Sequence, residues 1–304
     1  MANLKEVRTR IASVSSTQQI TSAMKMVSAA KFRRAQNAIL GMRPYAAMLK
    51  DIIGDIDVED GVQTPYHEVR RTDSVLLVVV TSNKGLCGAF NSNVIKEATS
   101  RLEKYRKAGC TKISMITIGK RGTEFFSKQK GLVKASYDDV LDNPQFDAIS
   151  QICESMMLSY CNKEYDCIEL IYNQFKNSLT QILSTEQFLP VTNGERKTKN
   201  GTLQAANTVD KNNEPRKNND YIFEPDKVKI MQEMIPLTLR SQFYRVILDS
   251  LASEHGARMT AMQKATDNAT ELLKELRLSY NKARQAAITN EIIEIVSGSE
   301  ALKG

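Results

Sequence analysis

Leu4, Val7, Ile11 and Val14 alternate spacings of three and four residues, the pattern of a helix with one apolar seam, and no glycine or proline intervenes before Gly41. One long helix is predicted over 3–55, making 1–55 an N-terminal segment of its own. Beyond Val14 the seam turns irregular: Gln18 and Thr21 stand where apolar residues belong, and Ile20, Met24 and Val27 are expected to carry the stripe onward. The register changes at 73. "SVLLVVVTS" is a continuous β-branched run of buried-strand length, followed by the turn signal "NKGLCG" and a helical stretch from Asn91 to Lys107. "KISMITIG" as a strand, "KRGTEFFSKQ" as a short helix, a helix near 144–161 and strands near 167–175 and 181–190 follow. Alternating strands and helices predict an α/β domain over 73–190 with a largely parallel sheet.

Residues 191–224 are polar, and "TNGERKTKNGTLQAANTVDKNNEPRKNND" at 192–220 has almost no large apolar side chains, the composition of a loop or linker. From 225 to the end the pattern is helical again, with Pro236 and Gly256 as expected interruptions. Its second half carries a seam with many small residues, traced through positions 262, 265, 269, 272, 276, 279, 283, 286, 290 and 293. Near the terminus Ala283, Ala286 and Ala287 share one narrow face, while Arg284, Gln285, Thr289, Ile288, Ile292, Ile295 and Val296 fall on the other. Such a helix has apolar residues on opposing sides and needs enclosure, some of it by other subunits. Two terminal helices flanking one domain, the second on the order of 100 Å long at full extension, predict an antiparallel coiled coil attached to a central Rossmann-like α/β domain.

Charge sharpens this picture only when divided along the chain. The first 50 residues hold nine Lys/Arg against one acid, whereas 51–226 hold 22 against 25 and 227–304 hold 11 against 9. The basic excess is therefore local, and it marks either a solvated helix face or a surface for an acidic partner. Five scattered cysteines and two distant histidines give neither a disulfide framework nor a zinc spacing, and reduced cytosolic thiols are the reading. No run of about 18 apolar residues occurs to span a membrane, and the N-terminus lacks a signal-type core.

The strand-turn-helix "VVVTSNKGLCGAFNSN" is the place where a nucleotide site would be sought. It offers only Gly85 and Gly88, without GxGxxG or GxxxxGK[ST], and the next strand ends in "TIGKRG" with no acid to hold a ribose. The two glycines are read as turn residues. Lys84, Lys120 and Arg121 at strand ends are read as a polar contact surface, His255 beside Glu254 as a helical surface pair, and Cys87 as structural. No catalytic constellation, cofactor site or metal site is assigned.

"MANLKEVRTRIASVSSTQQITSAMKMVSAAKFRRAQ", "TSNKGLCGAFN", "DYIFEPD", "LASEHGARMTAMQKATDNA" and "NKARQAAITNEIIEIVSG" together resemble the gamma-subunit family of the F-type ATP synthases, from end to end. The resemblance implies a non-catalytic rotor. Its terminal helices form a central shaft inside a ring of alpha and beta subunits, and its α/β domain is a foot on the epsilon subunit and the membrane ring of c subunits. Shaft rotation then couples proton flow, or in some members sodium flow, to ATP synthesis at beta-subunit sites. The family's ring contacts match Met24, Lys25 and Arg258 near the waist and Arg284, Gln285 and Thr289 nearer the tip. Ile288 and Ile292 are expected to meet the same sleeve, with the small face against the first helix. The implied location is peripheral, on the cytoplasmic face of the cell's inner membrane, with no membrane span, no nucleic acid and no cofactor. A basic coiled-coil nucleic-acid-binding or scaffold protein is the other class considered, but Phe32 and Tyr45 are the only aromatics in the basic segment and no reading module accompanies them.

Overall fold

The computed structural model describes residues 4–60, 64–129, 131–177, 180–191 and 227–301. The polar segment from 192 to 224 lies outside these residues. Two compact units are formed, one by Ala30–Ala257 and one by Met1–Ala29 with Arg258–Gly304.

The larger unit is built on a five-stranded sheet of β1 (Ser74–Val80), β2 (Lys112–Ile118), β3 (Val133–Ser136), β4 (Cys167–Phe175) and β5 (Gln181–Leu189), in the order β3-β2-β1-β4-β5. The first four strands run parallel, and β5 returns antiparallel along β4. The apolar run in β1 puts it at the centre, since successive side chains point to opposite faces and both faces must be covered. Val75, Leu77 and Val79 enter one core, which α2 (Phe90–Lys107) and α3 (Lys120–Phe126) cover with Val94, Ala98, Leu102 and Phe126. Leu76, Val78 and Val80 enter the other. That face is covered by α4 (Phe146–Cys161), through Ile149, Cys153, Met156 and Tyr160, and by Ile235, Leu239, Phe243 and Leu251 of α5 (Lys227–Ala301). Helices on both faces of a sheet with core order 3-2-1-4 make the unit Rossmann-like, as expected.

Two long helices frame the chain. The first, α1 (Leu4–Asp60), contains Pro44, and α5 contains Pro236. Neither proline ends its helix, and Gly256 does not either, so the expected interruptions of the second helical region do not occur. A proline removes one backbone hydrogen bond and crowds the preceding turn. At Pro236 the flanking Ile235 and Leu239 are buried in the core, which holds the helix together across the defect. In the same unit Ile39 of α1 packs with Leu248 and Ala252 of α5, and Phe32 meets the edge of Phe175 at 5.5 Å between ring centroids.

In the smaller unit the two helices pair antiparallel. Arg8 donates from Nη2 to the Tyr280 hydroxyl at 2.9 Å, Gln18 donates from Nε2 to Thr270 Oγ1 at 2.7 Å, and the Thr266 and Thr21 hydroxyls bond at 2.8 Å. Each step forward on α1 is matched by a step back on α5. The seam of α1 keeps its phase through Val7, Ile11, Val14, Gln18, Thr21, Lys25 and Ser28, all buried or half-buried. Ile20 and Val27, expected to carry the stripe, are instead each 59% exposed, and Met24 is half-buried. On α5 the positions Met262, Thr266, Ala269, Leu273, Leu276, Tyr280, Ala283 and Ala287 form a covered 3-4 series, with Thr270 half-buried beside it. Of the expected positions, 265 is half-buried, while 272, 279, 286, 290 and 293 are exposed. A 3-4 pattern can take its four-residue step first or second, and the Thr266–Thr21 bond selects the phase that apolar counting misses. The small face is thus split: Ala283 and Ala287 are half-buried and Ala286 is exposed.

Ala269, tucked into this seam, has no room to grow. Ala269→Leu should destabilise the isolated subunit by about 1–3 kcal/mol through overpacking, whereas Ala286→Leu should change it by less than about 0.5 kcal/mol, as expected of an open surface position. Thermal melts of the two variants decide between the phases, and an early melt for Ala286→Leu would mean that the seam lies in the other one. At Gly119 the backbone has φ +101°, and a Cβ there would stand 2.4 Å from the Thr81 carbonyl oxygen. Gly119→Ala should therefore cost about 1–3 kcal/mol, from left-handed strain and the backbone collision together, and chemical denaturation of that variant measures it.

Candidate functional site

The turn after β1 is closed by its own side chains. Asn91 accepts the Ser82 backbone N–H on Oδ1 at 2.9 Å and donates from Nδ2 to Ser82 Oγ at 2.8 Å and to Cys87 Sγ at 3.2 Å. Asn83 Oδ1 accepts the Lys120 N–H at 3.2 Å, and Thr81 Oγ1 accepts the Gly122 N–H at 2.9 Å. In a dinucleotide fold, backbone N–H groups at such a turn and at the start of the following helix face the phosphates. Here the Ser82 N–H in the turn after β1 is taken by Asn91, and the N–H groups of Lys120 and Gly122 at the start of α3, which follows β2, are taken by Asn83 and Thr81 of that turn. Gly88 has φ +61° and needs its glycine, while Gly85 admits the Arg121 guanidinium, whose Nη2 would lie 3.2 Å from an added Cβ. The remaining left-handed residue is Leu86 at φ +62°, with its side chain exposed.

Three of the five thiols, Cys87, Cys153 and Cys167, are buried. Burial pushes Cys153 and Cys167 up to about 12, so both stay protonated at neutral pH. Cys87 is buried inside the turn network. Glu169, buried in β4, accepts from the Tyr105 hydroxyl at 2.7 Å and faces the Arg101 guanidinium at 3.5 Å, an internal arrangement between α2 and the sheet.

Outside the long helices, Val69, Leu86, Phe125, Leu158 and Ile182 are exposed at separate places, whereas on the long helices exposed apolar residues gather. In the smaller unit Ile20, Met26 and Val27 of α1 and Leu278, Ile288, Ile292, Ile293, Ile295 and Val296 of α5 are between 47% and 71% exposed. Single exposed apolar residues are ordinary, but a run of five within nine residues at a helix end is a docking feature. Every residue from 288 to 299 is exposed, so both sides of this end are open. The sequence-derived contact residues fall into three environments. Arg284, Gln285 and Thr289 are exposed on α5, with the Thr289 hydroxyl turned back to the Gln285 carbonyl at 2.9 Å, and Ile288 and Ile292 share that open end. Met24 and Lys25 are half-buried on α1. Arg258 differs from all of these: it is 7% exposed and is engaged within the chain.

Sequence reasoning missed the four polar seam residues Gln18, Thr21, Thr266 and Thr270 as partners of one another. The signal was present, since polar residues three apart on one helix and four apart on the other occupy mirrored seam positions. Exposed Met26 and Leu278 were also missed, because nothing in a single helix tells a covered apolar residue from an open one.

Among the described residues no helix is long and apolar enough to cross a membrane. A family model described as ATP synthase matches residues 3–302. Over the whole of both chains the protein is 51% identical to the ATP synthase gamma chain of Flavobacterium johnsoniae, and over 99% of both it is 50% identical to that of Cytophaga hutchinsonii. Among solved structures it is similar to a chain of the Tetrahymena thermophila mitochondrial ATP synthase central stalk and c-ring, with TM-score 0.60 and 25% identity over 81% of this chain and 99% of that one. A chain from the Euglena gracilis mitochondrial ATP synthase shares the fold at TM-score 0.67 and 19% identity, over 98% of this chain and 94% of that one. With its paired long helices, its Rossmann-like sheet and a match running from end to end, the chain belongs to the ATP synthase gamma-chain family.

Proposed function

We propose that this protein is the central rotor shaft of an F-type ATP synthase, a non-catalytic subunit that couples ion translocation through a membrane ring of c subunits to ATP synthesis and hydrolysis at beta-subunit sites. The observation that carries the reading is the apolar surface left open on α1 and α5 after their mutual seam is filled. A surface of that kind needs a sleeve, and a ring of alpha and beta subunits supplies one. Met24, Lys25, Arg284, Gln285, Thr289, Ile288 and Ile292 are its contacts to that ring, and Arg258 serves the same waist from inside the chain. The Rossmann-like unit is the foot, which joins the epsilon subunit and the c ring and holds the complex at the cytoplasmic face of the cell's inner membrane.

The mechanism follows from symmetry. Three equivalent alpha–beta pairs cannot all match one asymmetric shaft, so each beta subunit meets a different face and is biased toward a different conformation. Turning the shaft permutes those biases. The basic excess of the first 50 residues adds an attraction to acidic elements of the ring that is long-ranged and indifferent to fine register.

Gln285→Ala with Thr289→Ala separates an outward role from a structural one. Both side chains are exposed, so the isolated variant should melt with a change below about 0.5 kcal/mol. Reconstituted with alpha and beta subunits of a close relative, it should hold the shaft less tightly and turn over ATP several-fold more slowly. An early melt, or parental retention and turnover in the complex, would remove these residues from the ring contact. If the parent chain itself fails to co-purify with alpha and beta subunits in a fixed ratio, the shaft reading fails as a whole.

A further inference from the structure

The hydrogen bonds between the two shaft helices lie where coiled-coil packing is otherwise apolar. Val7, Ile11 and Val14 on α1, with Leu273 and Leu276 on α5, are ordinary seam residues. Immediately beyond them the seam carries Gln18 against Thr270 and Thr21 against Thr266, at 2.7 Å and 2.8 Å. Thr21 is 9% exposed, so its hydroxyl has little access to water. Polar pairs in a buried seam add little net stability over apolar residues of similar volume, because their desolvation offsets what the bonds return. Their recognised use is to select one register among several of similar packing energy.

We infer that Gln18, Thr21, Thr266 and Thr270 form an axial register pin, which prevents α1 and α5 from sliding along one another. The inference rests on the shaft reading above and names the residues that make two helices behave as one torque-bearing body. The alternatives it excludes are concrete. A 3-4 seam repeats every heptad, so a slip of seven residues restores packing between apolar positions. In one direction that slip places Thr21 against Leu273, and in the other it places Thr270 against Ile11. Either move breaks both inter-helix bonds: the three hydroxyls keep their bonds to the Gln18, Met262 and Thr266 carbonyls of their own helices, but the half-buried Gln18 amide loses its acceptor and Thr21 or Thr270 comes to face an aliphatic side chain, a cost that apolar packing alone would not impose. Ala269, beside Thr270, keeps the helices close enough for the short side chains to meet. The Arg8–Tyr280 bond reports the same register but is exposed, so water competes for both groups and it resists sliding weakly.

The test replaces the pin by apolar residues of similar size, Gln18→Leu, Thr21→Val, Thr266→Val and Thr270→Val, in the full chain reconstituted with alpha, beta, epsilon and c-ring subunits. Nitroxide labels are placed through non-canonical amino acids at Thr17 and Asp267, both exposed. The parent should give one inter-label distance. The variant should melt no earlier than the parent and hydrolyse ATP, yet show a second distance population from a register displaced by about 10 Å. Ions pumped per ATP should fall several-fold. A single parental distance with parental pumping would overturn the pin. The exchanged pair Gln18→Thr with Thr270→Gln should keep one register and full pumping, and loss of either would equally count against it. If the fourfold variant does not fold, the isosteric pair Thr21→Val with Thr266→Val is read by the same two measurements. Failure of the labelled parent to assemble or pump would instead overturn the shaft reading and leave the seam geometry standing.

Discussion

Everything the two long helices can do depends on a seam narrow enough to join them while leaving their other sides free. A 3-4 pattern covers only a strip of each helix. In the smaller unit that strip is filled by Val7, Val14, Thr21 and Ser28 on one side and by Met262, Ala269 and Leu273 on the other, while Ile20, Val27, Leu272 and Leu278 stay in the open. A wider interface would cover the outer apolar residues and leave nothing for a surrounding sleeve. A narrower one would not hold helices of 57 and 75 residues together. Small residues resolve the tension, because alanine, serine and threonine let two backbones approach with little side-chain bulk between them.

The Rossmann-like unit answers a different constraint. Its central strand is apolar on both faces, so helices must cover both, and that requirement yields a doubly wound sheet irrespective of any ligand. The turn where related folds bind nucleotides is instead occupied by Asn83, Asn91 and Thr81, which take the backbone N–H groups of Lys120, Ser82 and Gly122. The crossover geometry survives and its chemistry is filled in. A fold of this kind does not by itself imply a cofactor, in keeping with the separation of fold from function.

Most of this was legible in the residues. "SVLLVVVTS" announced a central strand because no other element buries an unbroken β-branched run of that length, and Leu4, Val7, Ile11 and Val14 announced the first helix. The later seam was not legible by the same rule. Hydropathy assigns Ile20 and Val27 to the inside and Gln18 and Thr21 to the outside, and the structure reverses this because a partner hydroxyl satisfies each polar group. Hydrogen bonding between elements far apart in sequence leaves no mark on one helix considered alone. The same blindness placed Ala286 against α1 on grounds of size, whereas it lies exposed one residue from the half-buried Ala287. Pro236 misled for a related reason, since the local defect is visible in sequence and the core that spans it is not.

The division of forces between the inside and the outside of the helix pair is itself informative. Hydrogen bonds are short and directional, and a small displacement abolishes them. Those between α1 and α5 at Gln18–Thr270 and Thr21–Thr266 lie in the seam, and only Arg8–Tyr280 among these three lies at the surface. The outer surface near the tip is dominated by Ile288, Ile292, Ile293, Ile295 and Val296, whose burial is favourable in any orientation. The basic residues of the first helix likewise attract over about 10 Å at moderate salt without fixing a register. Directional bonds inside make the helix pair one object, and non-directional forces outside let that object turn against its surroundings with similar energy at each angle. A rotor needs that contrast: if the two were exchanged, the helices would slide past each other while their outer surface locked to the ring.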